Sequence, residues 1–227
     1  MISHNNTPAL NYLPDINTIW NEICDKSKLS NNIAMLINTS GSTRTPKSVV
    51  ISLNSVVHHV NYMSRKFKLN KETIELVSLP ISSTAVLFSQ LLPVAISQGT
   101  LKINQIPFNI PDLMQNLSNS YDFMGITPTI LRILDKVGYN WRSVGVKAVA
   151  VGGEKIDFEH LKHINGLINR EAFFPMYGLT ETLGVFCMGG PNDKACPPGS
   201  VGKACPEWNI RIMKDELQVK SQYNTSL

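Results

Sequence analysis

Two stretches of this chain combine residue types that could do chemistry together. In the first, residues 39–48 (Thr-Ser-Gly-Ser-Thr-Arg-Thr-Pro-Lys-Ser), four hydroxyl side chains, Thr39, Ser40, Ser42 and Thr43, flank Gly41, and Lys47 follows a few residues later. Phosphate groups are held by such parts: backbone N–H groups that can turn inward, hydroxyl donors and one fixed cation. The same composition also suits an exposed Ser/Thr turn. The second stretch is Tyr177-Gly178-Leu179-Thr180-Glu181-Thr182. An aromatic ring beside a glycine can lie flat against a purine, because glycine leaves the approach open. A hydroxyl next to a carboxylate at a strand end suits a phosphate and its divalent cation. Taken alone, this stretch also fits a strand-ending turn with a core tyrosine.

One phosphate-binding reading fails on inspection. Gly41 to Ser48 nearly matches the G-x-x-x-x-G-K-S/T loop of nucleoside triphosphatases, with Pro46 in place of the second glycine. Proline has no N–H to offer a phosphate and fixes its own φ. That loop must also open a helix at its lysine, whereas Val49, Val50 and Ile51 favour a strand. The loop therefore joins two strands.

Two further segments complete a pattern. Val151-Gly152-Gly153-Glu154 follows an apolar strand, and Gly199-Ser200-Val201-Gly202-Lys203 lies beyond the Tyr177 segment. Together these four elements resemble, in order, the signatures of the adenylate-forming (acyl-activating) enzymes: acyl- and aryl-CoA ligases, nonribosomal peptide adenylation domains and luciferases. Their loop reads approximately S/T-S/T-G-S/T-T-G-x-P-K-G between two strands, matched here by Thr39 to Thr43, Pro46 and Lys47. Arg44 and Ser48 stand where that family has glycine, and Ala204 stands where its last element has proline. The Tyr177 segment resembles the family's Y-G-x-T-E, and Gly152 to Glu154 its glycine-rich adenine pocket. The resemblance runs from about residue 33 to the end.

The resemblance implies ATP-dependent carboxylate activation: an acid attacks the α-phosphorus of ATP, giving acyl-adenylate and pyrophosphate, and a thiol of CoA or of carrier-protein phosphopantetheine then takes the acyl group. It assigns Thr39, Ser40, Gly41, Ser42, Thr43 and Lys47 to the β- and γ-phosphates and Thr180 to the α-phosphate. Glu181 would bind Mg²⁺, assisted by Thr43. Gly152, Gly153, Glu154, Tyr177 and Gly178 would belong to the nucleotide site, with Gly153, Glu154 and Tyr177 framing the adenine. Lys47, Thr180 and Glu181 are the expected catalytic set. The acid pocket should draw on the helix after Leu79-Pro80 and on Phe123 to Thr127, which are apolar and modest in size and suit a fatty or aromatic acid. Implied partners are a small carboxylic acid and either a carrier protein or a complementary chain supplying a C-terminal domain. Family members carry a ribose-gripping aspartate and a C-terminal domain with a catalytic lysine beyond the point where this sequence stops. The expectation is therefore the central part of a large N-terminal domain, adenylating poorly by itself. The alternative is a non-catalytic nucleotide- or partner-binding remnant.

Other side chains are weaker candidates. His58 and His59 are adjacent on a helix and cannot face one metal together. His160 and His163 lie three apart with no third ligand nearby, and Asp157 and Glu159 suit the first turn of their helix. Cys24, Cys187, Cys196 and Cys205 form no C-x-x-C pair, so neither a disulfide scaffold nor a zinc ribbon is expected. A serine-nucleophile G-x-S-x-G is absent.

The elements that must position these residues alternate. Apolar strands are expected at Ile33–Ile37, Ser48–Ser52, Ile74–Leu79, Thr100–Ile103, Phe123–Ile126, Val146–Val151 and Ala172–Met176. Helices are expected from a cap at Asn54 or Ser55, over Thr84–Ser97 with Gly99 as left-handed cap, over Pro111–Leu117, from Thr127 to Lys136 and over Phe158–Ile168. Strands alternating with helices indicate an α/β fold with a largely parallel sheet and flanking helices. After Gly184 the composition turns to Gly, Pro and Cys, then to strand-like Asn209–Met213 and Leu217–Val219 joined at Lys214-Asp215. The expected organisation is a lead-in over 1–32, a nucleotide-binding core over 33–184 and a short β-rich piece over 185–227. Hydrophobic residues make up 43% of the 227, enough for a sizeable core, and charged residues 17%. Lys and Arg exceed Asp and Glu by four, 21 against 17, without the long basic stripe that nucleic-acid binding needs. The most apolar window, Ala85 to Ile96, is broken by Ser89, Gln90 and Pro93 and is far shorter than the ~20 residues of a membrane span. No signal-like start is present, and a reduced cytoplasmic setting is expected.

Overall fold

The computed structural model describes residues 33–39, 47–104, 108–169, 172–190, 199–206 and 208–221. Residues 1–33 and 34–227 form separate compact units, and nearly all described residues belong to the second. Five parallel strands form the centre: β3 (Ile74–Val77), β4 (Thr100–Ile103), β5 (Phe123–Ile126), β6 (Ala148–Val151) and β7 (Phe173–Leu179). Two antiparallel strands, β8 (Gly184–Met188) and β9 (Lys203–Ala204), extend the sheet, whose order is β4-β3-β5-β6-β7-β8-β9. Apart from it, β1 (Ile33–Thr39) pairs with β2 (Lys47–Ser52), and β10 (Asn209–Met213) pairs antiparallel with β11 (Glu216–Lys220).

Side chains of paired residues on adjacent strands share a face, and residues along one strand alternate. One face carries Leu76, Met124, Ile126, Val149, Val151 and Phe173. It packs against α3 (Ile110–Leu117), α4 (Pro128–Lys136) and α5 (Phe158–Ile168) through Leu113, Leu117, Leu131, Leu134, Leu161 and Ile164. Each of these helices is capped by a side chain accepting from a backbone N–H: Asn109 from Asp112, Thr127 from Ile130, Asp157 from His160. The opposite face carries Glu75, Phe123, Gly125, Ala150, Phe174 and Met176. It meets α1 (Leu53–Lys66), whose Met63 enters the same apolar cluster, and α2 (residues 84–96).

Several expectations need correction. The cap of α1 is Ser52, which accepts from the Ser55 N–H at 3.1 Å, rather than Asn54 or Ser55. The helix over 84–96 is not uniform: Thr84–Val86 and Leu92–Ile96 are α-helical, and Leu87–Leu91 between them is a π turn. Pro93 has no N–H for the Ser89 carbonyl and its ring would crowd that carbonyl in an α-helix, so a wider turn upstream accommodates it. The left-handed residue after this helix is Gln98 (φ 58°), not Gly99. Gly99 is required for a different reason, since a Cβ there would lie 3.0 Å from the Thr73 carbonyl. β8 lies in the stretch read as Gly/Pro/Cys-rich; all five of its residues are buried against β7. The β10–β11 hairpin turns at Lys214 and Asp215, both with positive φ, as a two-residue hairpin loop demands. Among the described residues no helix is long and apolar enough to cross a membrane.

Candidate functional site

A cavity of about 240 Å³ opens at the carboxyl ends of β5, β6 and β7, on the α1–α2 face. Its cause is the size of the residues there. Lower on the same face, the rings of Phe67, Phe123 and Phe174 stack at centroid distances of 4.3 to 6.4 Å and fill the space beneath α1. Further toward the carboxyl ends of β5 and β6, Gly125 and Ala150 stand side by side in register, and Gly152 and Gly178 follow, so these four lining positions carry nothing larger than a methyl group. Leu79 and the Ser83–Gln90 part of α2 form the opposite wall, with Thr127 and Thr180 at the rim. The sequence placed an acid pocket on the helix after Leu79-Pro80 and on Phe123 to Thr127, and these segments do line one cavity. Ligands of open α/β sheets bind at this end of the strands.

Four of the expected nucleotide-site residues, Gly152, Gly153, Gly178 and Thr180, line the same cavity. Two of these glycines are required by backbone contacts. A Cβ on Gly178 would fall 1.2 Å from the Gly184 carbonyl oxygen, and one on Gly152 would fall 2.5 Å from the Met176 carbonyl oxygen. Both let neighbouring backbones approach, and Gly178 does so at a register shift in the β7–β8 pairing. At Gly153 a Cβ would make only ordinary contact, 3.8 Å from Thr127 Cγ2, but its φ of +82° is one that only glycine adopts without strain.

Thr180 and Glu181 sit in a single 3₁₀ turn, Thr180–Thr182, that ends β7. Thr182 holds this turn: its Oγ1 accepts from the Leu179 N–H at 2.9 Å and lies 2.9 and 3.1 Å from the carbonyls of Leu179 and Gly184. Leu183 follows at φ 60°, a conformation costing a leucine about 1 kcal/mol. Burial in a cluster with Val49, Ile51 and Phe88 secures it. Met35 and Ile37 of β1 pack on that cluster too. The strands that end at Thr39 and begin at Lys47 are thus fixed against the residue two positions after Glu181. Ser40, Gly41, Ser42 and Thr43 lie outside the described residues, as do the side chains of Thr39 and Lys47. At the base of the hairpin Ser48 Oγ donates to Asn38 Oδ1 at 2.9 Å.

Tyr177, Glu154 and Glu181 are not among the residues lining the cavity. Tyr177 meets Phe186 edge-on at 5.2 Å and keeps about a third of its surface exposed (36%). The Glu154 carboxylate accepts from Thr129 Oγ1 at 2.5 Å and lies 3.4 Å from Arg132, tying it to α4. His160 pairs with Asp135, whose other oxygen accepts from Trp141 Nε1, so this histidine braces α5 against α4. Among the described residues no three His, Cys, Asp or Glu side chains converge as a metal cluster.

Sequence reasoning did not single out Ser89, Gln90 and Glu75. Gln90 Nε2 donates to Glu75 Oε1 at 2.6 Å. Glu75 has no exposed surface, and burial pushes its carboxyl up to about 8 against the smaller downward pull of the Gln90 hydrogen bond. Ser89 Oγ lies 3.3 Å from His59 Nε2, and burial, aided by His58, lowers that imidazole to about 4. The one available signal was two polar residues inside an otherwise apolar helical run.

The chain belongs to the AMP-binding enzyme family, whose model matches residues 6–224. Among curated relatives, the nicotinic acid-CoA ligase olcI of Penicillium canescens is 24% identical over 204 residues, covering 86% of this chain and 36% of that protein. The dapdiamide synthesis protein DdaD of Enterobacter agglomerans is 25% identical over 162 residues, 69% of this chain and 27% of that protein. Among solved structures, ATP-bound MatB from Rhodopseudomonas palustris superposes with a TM-score of 0.74 at 20% identity, over 85% of this chain and 40% of that one. O-succinylbenzoate CoA synthetase (MenE) from Bacillus subtilis with AMP superposes at 0.70 and 20% identity, over 85% and 41%. These structures establish that this AMP-binding family member has the α/β fold with a mostly parallel sheet expected from its sequence. The chain spans about two-fifths or less of the length of each of these relatives.

Proposed function

We propose that this family member takes part in AMP-forming activation of a small carboxylic acid, with acyl transfer to the thiol of CoA or of a carrier protein as the following step. The observation that carries the reading is the shared cavity: an apolar acid-sized floor of Gly125, Ala150 and Met176 continues into the nucleotide-motif residues Gly152, Gly153, Gly178 and Thr180. The relatives named above include a nicotinic acid-CoA ligase and structures with ATP or AMP bound, which supports a nucleotide and an acid as joint occupants.

In this reading Thr180 donates its hydroxyl to the α-phosphate, and the Thr39–Lys47 hairpin holds the β- and γ-phosphates through Thr39, Ser40, Gly41, Ser42, Thr43 and Lys47. Gly153, Glu154 and Tyr177 frame the adenine, Glu154 with its carboxylate anchored to Thr129 and Arg132 of α4 and Tyr177 with its exposed ring surface. Glu181, with Thr43, is the side chain for Mg²⁺. A single carboxylate suits that ion, which usually takes one or two carboxylates plus phosphate oxygens and keeps several waters. Bound there, magnesium would neutralise charge on the departing pyrophosphate. The protein's own contribution is positioning: the cavity excludes water from the acid and directs its carboxylate to the rim where Thr180 stands.

The test uses the 227-residue chain. ATP or AMP with Mg²⁺ should raise its unfolding temperature by several degrees, since ligand at a hundredfold excess over Kd adds about 2.7 kcal/mol. Glu181→Ala should remove the magnesium-dependent part. Hydroxylamine trapping with a panel of acids then reads adenylate formation. Stabilisation by nucleotide without hydroxamate from any acid would support the non-catalytic remnant instead. Absence of any nucleotide effect would overturn both.

A further inference from the structure

The wall that α2 presents to the cavity is polar at one place, and that place is built from four buried residues. The π turn brings Ser89 and Gln90, 4% and 3% exposed, onto the cavity in succession. The Gln90 amide is clamped on both sides. It donates to Glu75 on β3, and it lies flat over Gly125 on β5, where a Cβ would meet Oε1, Cδ and Nε2 at 3.3 to 3.4 Å. Burial pushes the Glu75 carboxyl up to about 8, and its Oε2 has no hydrogen-bond partner among the described residues. Ser89 is backed by His59, whose imidazole burial lowers to about 4. Burying these groups costs free energy that an apolar wall would not. The rest of the lining is apolar apart from small hydroxyl residues, and among the described residues no charged side chain lines the cavity.

We infer that the cavity selects a small monocarboxylic acid whose end remote from the carboxylate carries a neutral hydrogen-bonding group, a hydroxyl or a carboxamide, read by Gln90 and Ser89. This rests on the carboxylate-activation reading above. With one N–H committed to Glu75, the Gln90 amide still offers a carbonyl acceptor and a second N–H, which match a group that both donates and accepts. A second carboxylate or an ammonium would be desolvated there with no charged side chain among the described lining residues, which is strongly unfavourable. A volume of about 240 Å³ admits one ring or a short chain, being below the roughly 300–1,000 Å³ of pockets for larger ligands.

The experiment measures binding of non-reactive adenylate mimics, acyl-sulfamoyladenosines, to the full chain by calorimetry, so that no turnover is needed. The acyl groups are benzoyl, 4-hydroxybenzoyl, 4-carbamoylbenzoyl, 4-carboxybenzoyl and 4-(aminomethyl)benzoyl. The hydroxyl and carbamoyl mimics should bind about tenfold tighter than benzoyl, and the two charged mimics weaker than it. In the double variant Glu75→Leu/Gln90→Leu, which strands neither partner, benzoyl should become the preferred ligand. Equal affinity for benzoyl and hydroxybenzoyl in the natural chain, or preference for a charged mimic, overturns the inference while leaving adenylate binding intact. If neither AMP nor any mimic binds, the activation reading fails and takes the inference with it. The natural chain alone decides the selectivity arm should the double variant not fold.

Discussion

Along β5, Met124 and Ile126 turn to one face of the sheet and Phe123 and Gly125 to the other. The first face is closed by three capped helices and carries a continuous apolar core with Trp141 edge-on to Tyr139 and Phe173. The second is closed by α1 and the interrupted helix α2, and it holds a cavity bordered by buried polar side chains. The same four-residue strand thus serves two purposes through side-chain alternation. Dense packing on one side secures the strands so that the other side can remain partly empty. An unfilled layer costs stability that the filled layer must offset.

The largest expected effect joins the two regions. Gly178→Ala would drive a methyl group into the Gly184 carbonyl, backbone against backbone, and should cost more than about 4 kcal/mol, seen as loss of a cooperative unfolding transition. Leu131→Ala on the packed face should destabilise by about 2–5 kcal/mol in denaturant titration while leaving nucleotide affinity of the folded fraction unchanged. A large loss of affinity there would break the division of labour between the faces.

A pH series probes the polar side. Glu75 is raised to about 8 in the folded chain, so between its ordinary value of 4.5 and about 8 the folded state retains a proton that the unfolded state releases, and stability falls as pH rises. His59, lowered from 6.5 to about 4, acts in the opposite sense below pH 6.5, where stability rises with pH. The window from 6.5 to 8 therefore isolates Glu75. The natural chain should lose about 2 kcal/mol across it, and Glu75→Gln should flatten that slope. The smallest effect is expected from Gly125→Ala. The nearest atoms its methyl group would meet belong to the flexible Gln90 amide, so stability should change by about 1 kcal/mol, yet the displaced amide should weaken acid-side ligands measurably.

Much of the fold was legible from residue pattern. The strands Thr100–Ile103 and Phe123–Ile126 and the helix Phe158–Ile168 lie where periodicity and capping residues put them. β8 was not legible because its neighbourhood is rich in Gly, Pro and Cys, and a strand buried on both faces has no alternation to reveal it. The π turn was hidden for a similar reason: an apolar run with Pro93 near its end reads as one helix, and only packing shows where the extra residue is absorbed. Of the candidate site, Gly152, Gly153, Gly178 and Thr180 line one cavity, but the backbone contact that requires glycine at 178 was not legible. Its partner Gly184 sits across a strand turn, a contact that no local spacing encodes.

The sequence by itself determined the alternation of strands and helices, the order of the glycine- and hydroxyl-rich elements, and the family to which they belong, because those depend on local conformational preference and on residue type. Only the tertiary structure decided which residues meet. Register between parallel strands aligned Gly125 with Ala150 to open the cavity, and the π turn set Gln90 over Gly125 and against Glu75, fifteen residues away in the chain. Long-range pairing selects such neighbours by the shape of the whole core, which no single segment carries.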